Sequence, residues 1–409
     1  MRDTELYRKI LGIESPWEVE SVQLNIKEGR VDVKLKHREG ISWPCPECAK
    51  ELGIYDHAEE RTWRHLDTCQ FQTLIHARVP RVKCDEHGVR QVKVPWAEAR
   101  SRFTLLMERL VIDVLQETAT VEGARRLLNL SWDEVQGVMH RAVKRGRARK
   151  RRKPKPLIGV DEKSFRKGHT YMTVVCDIAE GTVEHVSVGR SADSLEEYYS
   201  SLSAEERDGI EAVAMDMWPA YIGATRKWIP DAERKIVFDR FHVMGHMEKA
   251  VDTVRKRENR ELMKEGDERL KGTKWMWLYS GENLPDRLKP ALEALRSMKL
   301  KVARAWAIKE TLRGMWSYIS VGWARKFFGR WYSWAVRSRL SPVRRVATMI
   351  RNHLEGILNY CRCPISNAVA EGLNSRIAAV KLRACGFRNV ENFKTAIYFF
   401  CGGLNLYPC

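Results

Sequence analysis

Three acidic side chains stand where carboxylates can do metal chemistry: Asp161 in LIGVDE, Asp216 in AVAMDMWPAY and Glu371 in NAVAEGLNSR. The first two each end a short apolar run of the kind that forms a buried strand. The third sits early in a segment with helical periodicity. Two strand-end aspartates and a helical glutamate offer the hard oxygen ligands that hold two divalent cations, Mg2+ or Mn2+, against a phosphodiester. Three structural or surface acids would be the plain alternative. Glu162, beside Asp161, is the decoy, because alternation along a strand points it to the other face.

A second constellation is soft. Cys45-Pro-Glu-Cys48 is followed, after a gap of 35 residues, by Cys84-Asp-Glu-His87. C-x-x-C paired with C-x-x-H is metal-ligand spacing, each knuckle presenting two ligands to one tetrahedral Zn2+. The interval must hold strands such as 71–80, as in a zinc ribbon. Otherwise the four are unrelated residues. Cys69, His57 and His65 lack the paired spacing and read as packing or surface residues.

Charge narrows the class of partner. Lys and Arg total 72 against 53 Asp and Glu, a net +19, in a chain of 409 residues. Such an excess favours a polyanion, since neutralised phosphates release condensed counterions. Residues 141–155, RAVKRGRARKRRKPK, carry ten basic side chains and no acidic one, a run read as a linker too repulsive to pack and suited to a phosphate backbone. Hydrophobic content of 44% and charged content of 31% exclude a disordered chain. No secretory signal and no membrane-length apolar run are present, so a cytoplasmic protein with no membrane partner is expected. Ten cysteines in that compartment do not predict disulfides.

The elements that must position these residues follow from periodicity. Residues 17–24 and 31–37 alternate around KEGR as a hairpin. Across 103–145, Phe103, Leu106, Leu110, Val114 and Leu115 recur at helical spacing, a short helix covers 120–128, and Ser131-Trp-Asp-Glu134 is a capping box opening a third helix. Two short helices joined by a tight turn before a basic run suggest a helix-turn-helix, with a three-helix bundle as the alternative. From 157, strands at 157–160, 171–178 and 184–188 precede a helix capped at Asp193, a strand at 212–215, a helix led by Pro219 and a strand at 236–238. That is the strand order of the ribonuclease-H-like fold. Residues 246–345, with seven of the fourteen tryptophans, read as a helical insertion, most of whose tryptophans are core. Ser366 or Asn367 starts the helix of Glu371, with Val369, Leu373, Ile377 and Val380 as its buried stripe.

The expected chain is therefore multidomain, α+β and α/β. A zinc ribbon occupies 1–100, and a helix-turn-helix with basic linker 101–155. A ribonuclease-H-like catalytic domain occupies 156–245 and 346–409, split by the helical insertion at 246–345.

The segments CPEC with CDEHG, RTWRHLD, VPWA, GVDE, MDMWPAY, VFDRFHVMGHM and NAVAEGLNSRIAAVKLRACGFRN run in order from about residue 40 to the C-terminus. Together they resemble the ISL3 family of bacterial insertion-sequence transposases. The resemblance implies a DDE triad of Asp161, Asp216 and Glu371 on two Mg2+ or Mn2+ ions. Cleavage at the inverted-repeat ends of an element is followed by strand transfer to target double-stranded DNA. It implies a homodimer in the synaptic complex, at work in the bacterial cytoplasm on the nucleoid. Asp239-Arg-Phe-His242 occupies the place of the family's D-x-x-H element, so His242 either contacts the scissile phosphate or is a core or capping histidine. In related transposases an inserted helical domain can shield or stack unpaired bases at the cut end. A transposase-derived regulator without catalysis, and a nuclease of the same fold without strand transfer, are the alternative functions.

Overall fold

The structure, a computed structural model, describes residues 2–151, 153–166, 170–365 and 368–409, with Arg166 as backbone only. Contacts divide the chain into two units: residues 1–150 with 379–409, and residues 151–378. Residues 379–409 thus gather with the N-terminal unit, whereas the expected catalytic segment ran to 409. The expected helix start at Ser366 or Asn367 lies outside the described residues. Among those residues, no helix is long and apolar enough to cross a membrane.

The first unit opens with α1 (Asp3–Ile10), β1 (Trp17–Asn25), β2 (Arg30–His37), β3 (Trp43–Pro44), β4 (Glu51–Leu52), β5 (Ile54–His57), β6 (Arg61–Arg64), β7 (Gln72–Ala77), β8 (Pro80–Cys84) and β9 (Gly88–Gln91). The expected hairpin is β1–β2, turning at Gly29 with φ +64°, a conformation glycine adopts without strain. One sheet runs β1-β2-β7-β6 and another β5-β8-β9, with β3 and β4 paired apart. Buried Trp17 and Trp63 meet Trp96 edge-on, with ring centroids 4.8 and 5.5 Å apart, and so fix the core under the sheet.

Three helices follow: α2 (Leu105–Thr118), α3 (Val121–Leu128) and α4 (Trp132–Arg149). The face of α2 that packs is Met107, Val111, Ile112 and Leu115, so Leu106 of the expected stripe lies exposed. Asn129 turns the chain at φ 49°, and Ser131 and Glu134 close the expected capping box. The basic run is helical as far as Arg149, and the two units divide after Lys150. Helix α4 continues through Arg149 with Ala142, Val143 and Gly146 buried. Three of its cations have acceptors within the first unit: Arg145 pairs with Glu98 and donates to the Leu406 carbonyl at 2.9 Å, Arg149 donates to that of Tyr407 at 2.6 Å, and Lys150 to that of Gly402 at 3.1 Å. Helical backbone plus these acceptors offsets the repulsion among the basic side chains that α4 carries.

The second unit starts with β10 (Leu157–Arg166), β11 (Thr170–Asp177) and β12 (Thr182–Val188). Next come α5 (Ala192–Ser201), α6 (Ala204–Asp208), β13 (Ala212–Met215), α7 (Pro219–Trp228), α8 (Ala232–Lys235) and β14 (Ile236–Phe238). The helix expected to be capped by Asp193 begins two residues earlier, at Ala192, and its N-cap Ser191 makes no side-chain cap hydrogen bond. The sheet order is β12-β11-β10-β13-β14, antiparallel among the first three strands and parallel from β10 through β13 to β14. Strands β13 and β14 are buried throughout, as a parallel interior requires.

A long helical segment then intervenes: α9 (Arg240–Lys264), α10 (Lys274–Leu278), α11 (Lys289–Ser297), α12 (Lys301–Arg313), α13 (Val321–Arg337), α14 (Ser341–Asn352) and α15 (Leu354–Leu358). Trp277, Trp306, Trp316 and Trp331 join one hydrophobic core with Ile158, Met215 and Phe238 of the sheet, while Trp275, Trp323 and Trp334 are exposed. The chain then enters α16 (Ala368–Arg383), which buries Leu373, Ile377 and Val380 but leaves Val369 half-buried, and ends with α17 (Val390–Cys401), packed on α4 in the first unit.

Candidate functional site

The parallel strands β10, β13 and β14 each deliver an aspartate near the same edge. Asp161 does not end β10, which continues to Arg166. It lies just past Gly159, the last β10 residue paired with β13. Asp216 follows Met215 at the end of β13, and Asp239 follows Phe238 at the end of β14, directly across the ladder from Met215. Asp239 is the N-cap of α9: its Oδ1 accepts from the Phe241 N–H at 3.1 Å. The first turn of α9 then presents His242, whose Nδ1–H donates to Asp216 Oδ2 at 2.8 Å.

Helix α16 completes the cluster. Glu371 lies with Asp239 and His242, their ligand atoms all within 4.8 Å of one another. One turn on, Asn374 donates from Nδ2 to Asp161 Oδ2 at 2.5 Å, while Asp161 Oδ1 accepts from the Glu162 N–H at 2.7 Å. The structure therefore brings Asp161, Asp216, His242 and Glu371 into one site. It groups Glu371 most closely with Asp239 and His242. Glu162 faces Arg190 at 3.7 Å.

The electrostatics are those of carboxylates short of counter-charge. Burial pushes the Asp161 carboxyl up to about 6, against the opposing Glu162 N–H and with help from Asp216. Asp239 is also raised, first by burial and further by Glu371 and Asp216. The His242 imidazole is raised, chiefly by its bond to Asp216. Three buried oxygens in the site, Asp216 Oδ1, Asp239 Oδ2 and Asn374 Oδ1, have no donor. Unsatisfied buried acceptors are costly, and hard divalent cations are what satisfies several at once. The donor set fits Mg2+ or Mn2+.

The knuckle passes a different test. Cys84 Sγ lies 3.6 Å and Cys45 Sγ 3.9 Å from His87 Nδ1, and Cys48 Sγ lies 3.8 Å from Cys84 Sγ. Four ligands at Zn–S of about 2.3 Å and Zn–N of about 2.0 Å stand roughly 3.5–3.8 Å apart at tetrahedral angles. A disulfide would need about 2.05 Å. The four residues fit Zn2+. His65 is buried against Thr104, 2.9 Å away, and Cys69 is exposed, so neither joins them.

Two further residues of the site have a signal in the sequence. Asp239 follows an apolar strand, IVF, as Asp216 follows AVAM. Asn374 lies one helical turn from Glu371 on the same polar face.

Comparison with known proteins gives the class, a transposase of insertion sequences. Residues 41–87 match the zinc finger of the transposases of IS204, IS1001, IS1096 and IS1165, and residues 92–143 match the helix-turn-helix domain of transposase family ISL3. Residues 158–397, more than half of the chain, match the transposase domain of the same family, and the chain belongs to the ISL3 family of transposases. The transposase for insertion sequence element IS1001 of Bordetella parapertussis is 27% identical over 397 residues, covering 95% of this chain and 97% of that protein. The transposase for IS1557 of Mycobacterium tuberculosis is 26% identical over 422 residues, covering 96% and 94%.

Proposed function

We propose that this chain binds the terminal inverted repeats of an insertion sequence, cleaves DNA there, and joins the freed ends to target double-stranded DNA. Asp161, Asp216 and Glu371 act as the DDE triad. The observation that carries this reading is the convergence of those carboxylates, from two parallel strands and a distant helix, around oxygens that lack donors. The sheet order, three antiparallel strands with two more added parallel to the first, supports a ribonuclease-H-like domain with α9–α15 as its inserted segment.

Asp161, Asp216 and Glu371 would hold Mg2+ or Mn2+, which supply Lewis acidity and a bound water of lowered pKa. The chain's own residues prepare that site. Asn374 fixes one oxygen of Asp161, the His242 N–H fixes one oxygen of Asp216, and the cap on α9 fixes Asp239 beside them. Held oxygens lose little freedom on binding, so the phosphodiester meets a preset array. The freed 3′ hydroxyl of the element is the nucleophile for joining at the same place. Cys45, Cys48, Cys84 and His87 hold a structural zinc. The zinc ribbon and helix-turn-helix bind the element ends, and the pairing of two ends calls for a homodimer in the bacterial cytoplasm, at the nucleoid.

The test is Mg2+-dependent nicking and joining of repeat-ended DNA by the wild type and by Asp161→Ala, Asp216→Ala and Glu371→Ala. Loss of both reactions with end binding intact is expected. Normal cutting by any of the three sinks the triad. Cutting without joining leaves a nuclease, and binding without cutting leaves a regulator.

A further inference from the structure

His242 is built like a metal ligand. Its Nδ1–H is committed to Asp216 Oδ2 at 2.8 Å, which fixes the tautomer and turns the Nε2 lone pair the other way. A ligating imidazole almost always gives its second N–H to a carboxylate in this manner, which orients the ring and makes the free nitrogen more basic.

The free nitrogen faces a carboxylate in want of a partner. Asp239 Oδ2 lies 3.9 Å from His242 Nε2, the Asp239 side chain is 0% exposed, and this oxygen has no hydrogen-bond donor. A distance of 3.9 Å is beyond hydrogen-bond reach, which ends near 3.2 Å, so a proton on Nε2 would leave Asp239 Oδ2 unsatisfied. It is within the span of one cation held at a wide ligand–metal–ligand angle, because two bonds of roughly 2.0–2.2 Å reach about 4.2 Å when in line. The Glu371 carboxylate is the third member, all three ligand atoms lying within 4.8 Å of each other.

We propose that Asp239, His242 and Glu371 form a separate site for a divalent transition cation of the Mn2+ or Zn2+ class, bound by one imidazole nitrogen and two carboxylate oxygens. The nitrogen sets the selectivity. Mg2+ prefers an all-oxygen shell and keeps its waters, whereas imidazole suits the later first-row ions. Glu371 is shared between this site and the triad, so occupancy here governs whether that carboxylate is available to Asp161 and Asp216. The site stands on the geometry of α9 and α16 and does not require that Asp161 and Asp216 hold Mg2+.

The experiment uses the full chain with its ribbon zinc-loaded and with Asp161→Ala, which removes a triad member outside the proposed site. Mn2+ is titrated in by calorimetry, and the bound ion is examined by pulsed electron paramagnetic resonance. One Mn2+ with a nitrogen coupling is expected, with Mn2+ bound at least about tenfold more tightly than Mg2+. His242→Gln should abolish the coupling, and Asp239→Asn, which keeps the helix cap, should weaken binding about 10- to 100-fold. Mn2+ bound without nitrogen coupling, or with equal affinity in all three proteins, overturns the site. The coupling is read before either further substitution is made, so a misfolded variant does not decide the matter. Absence of nicking by the wild type would sink the triad and leave this result standing.

Discussion

The knuckle and the acidic centre are both poised for cations, yet they are encoded in opposite ways. In the knuckle, each ligand pair is three residues apart on one turn, and the two turns need only be brought face to face. The acidic centre draws Asp161 from within β10, Asp216 and Asp239 from the ends of β13 and β14, and Glu371 from a helix that follows a long helical segment. Local spacing therefore specifies the soft site almost alone. The hard site exists only once β10, β13 and β14 are paired and α16 has brought Asn374 to Asp161. Removal of metal should accordingly have opposite consequences in the two places, unfolding one and merely silencing the other.

Zinc should show the largest effect. Structural zinc in small knuckles contributes an apparent 10–16 kcal/mol of binding free energy near pH 7, which is folding free energy for the loops that hold it. Cys45→Ser, or a chelator strong enough to strip zinc, should abolish end binding and expose the amides of 41–52 and 84–91 to hydrogen exchange. Full protection in zinc-free protein would break the comparison at its root.

The triad should behave otherwise. Alanine at Asp161, Asp216 or Glu371 should lower nicking by at least about 10²–10³-fold. Stability should hold or rise, because Asp161 is buried, raised to about 6, and crowded by Asp216. A melting temperature that falls as far as that of the knuckle variant would mean that these carboxylates are structural.

Legibility in the sequence follows the same division. The hairpin, the capping box at Ser131, the strand at 236–238 and both knuckle pairs were readable because each rests on neighbours a few residues apart. Asp161 and Asp216 stand out as carboxylates that end apolar runs, and Glu371 as an acid early in a segment of helical periodicity. What escaped depended on distant partners. The basic run appeared too repulsive to pack because Leu406, Tyr407 and Gly402, whose carbonyls accept from it, lie more than 250 residues on. Nothing within residues 157–166 says that β10 outlasts its pairing with β13. Asp239 and Asn374 were visible as types and gained meaning only from what they touch.

His65 and His87 divide along the same line within one unit. Burial, aided by Arg64, lowers the His65 imidazole to about 4 from its ordinary 6.5. Between those values the unfolded chain binds a proton that the native state refuses. This contribution is therefore fully present above pH 6.5 and lost as pH falls toward 4, by up to about 3 kcal/mol. With zinc saturating, the urea midpoint of the first unit should drop on acidification from pH 7 to 4.5, and should drop less in His65→Asn. Equal drops would assign the acid sensitivity to the knuckle ligands alone.

The smallest effect tests the long-range half of the comparison most directly. The Asn374 amide reaches Asp161 Oδ2 at 2.5 Å across 213 residues of sequence, one helical turn from Glu371. It is therefore the bond that fixes the triad's third carboxylate relative to its first. A hydrogen bond to a charged group is worth about 1.5–3 kcal/mol, too little to decide the fold and enough to set a ligand's position. Asn374→Ala should raise the Mg2+ concentration needed for half-maximal nicking and lower the rate about 10- to 100-fold, with KM for DNA unchanged. Asn374→Asp should be worse than alanine, since it sets a second negative charge against a buried carboxylate. If alanine and aspartate act alike, and through stability rather than Mg2+ dependence, then α16 is held by its buried face of Leu373 and Ile377 alone. The acidic centre would then be as indifferent to its fine contacts as the knuckle is to the rest of the chain.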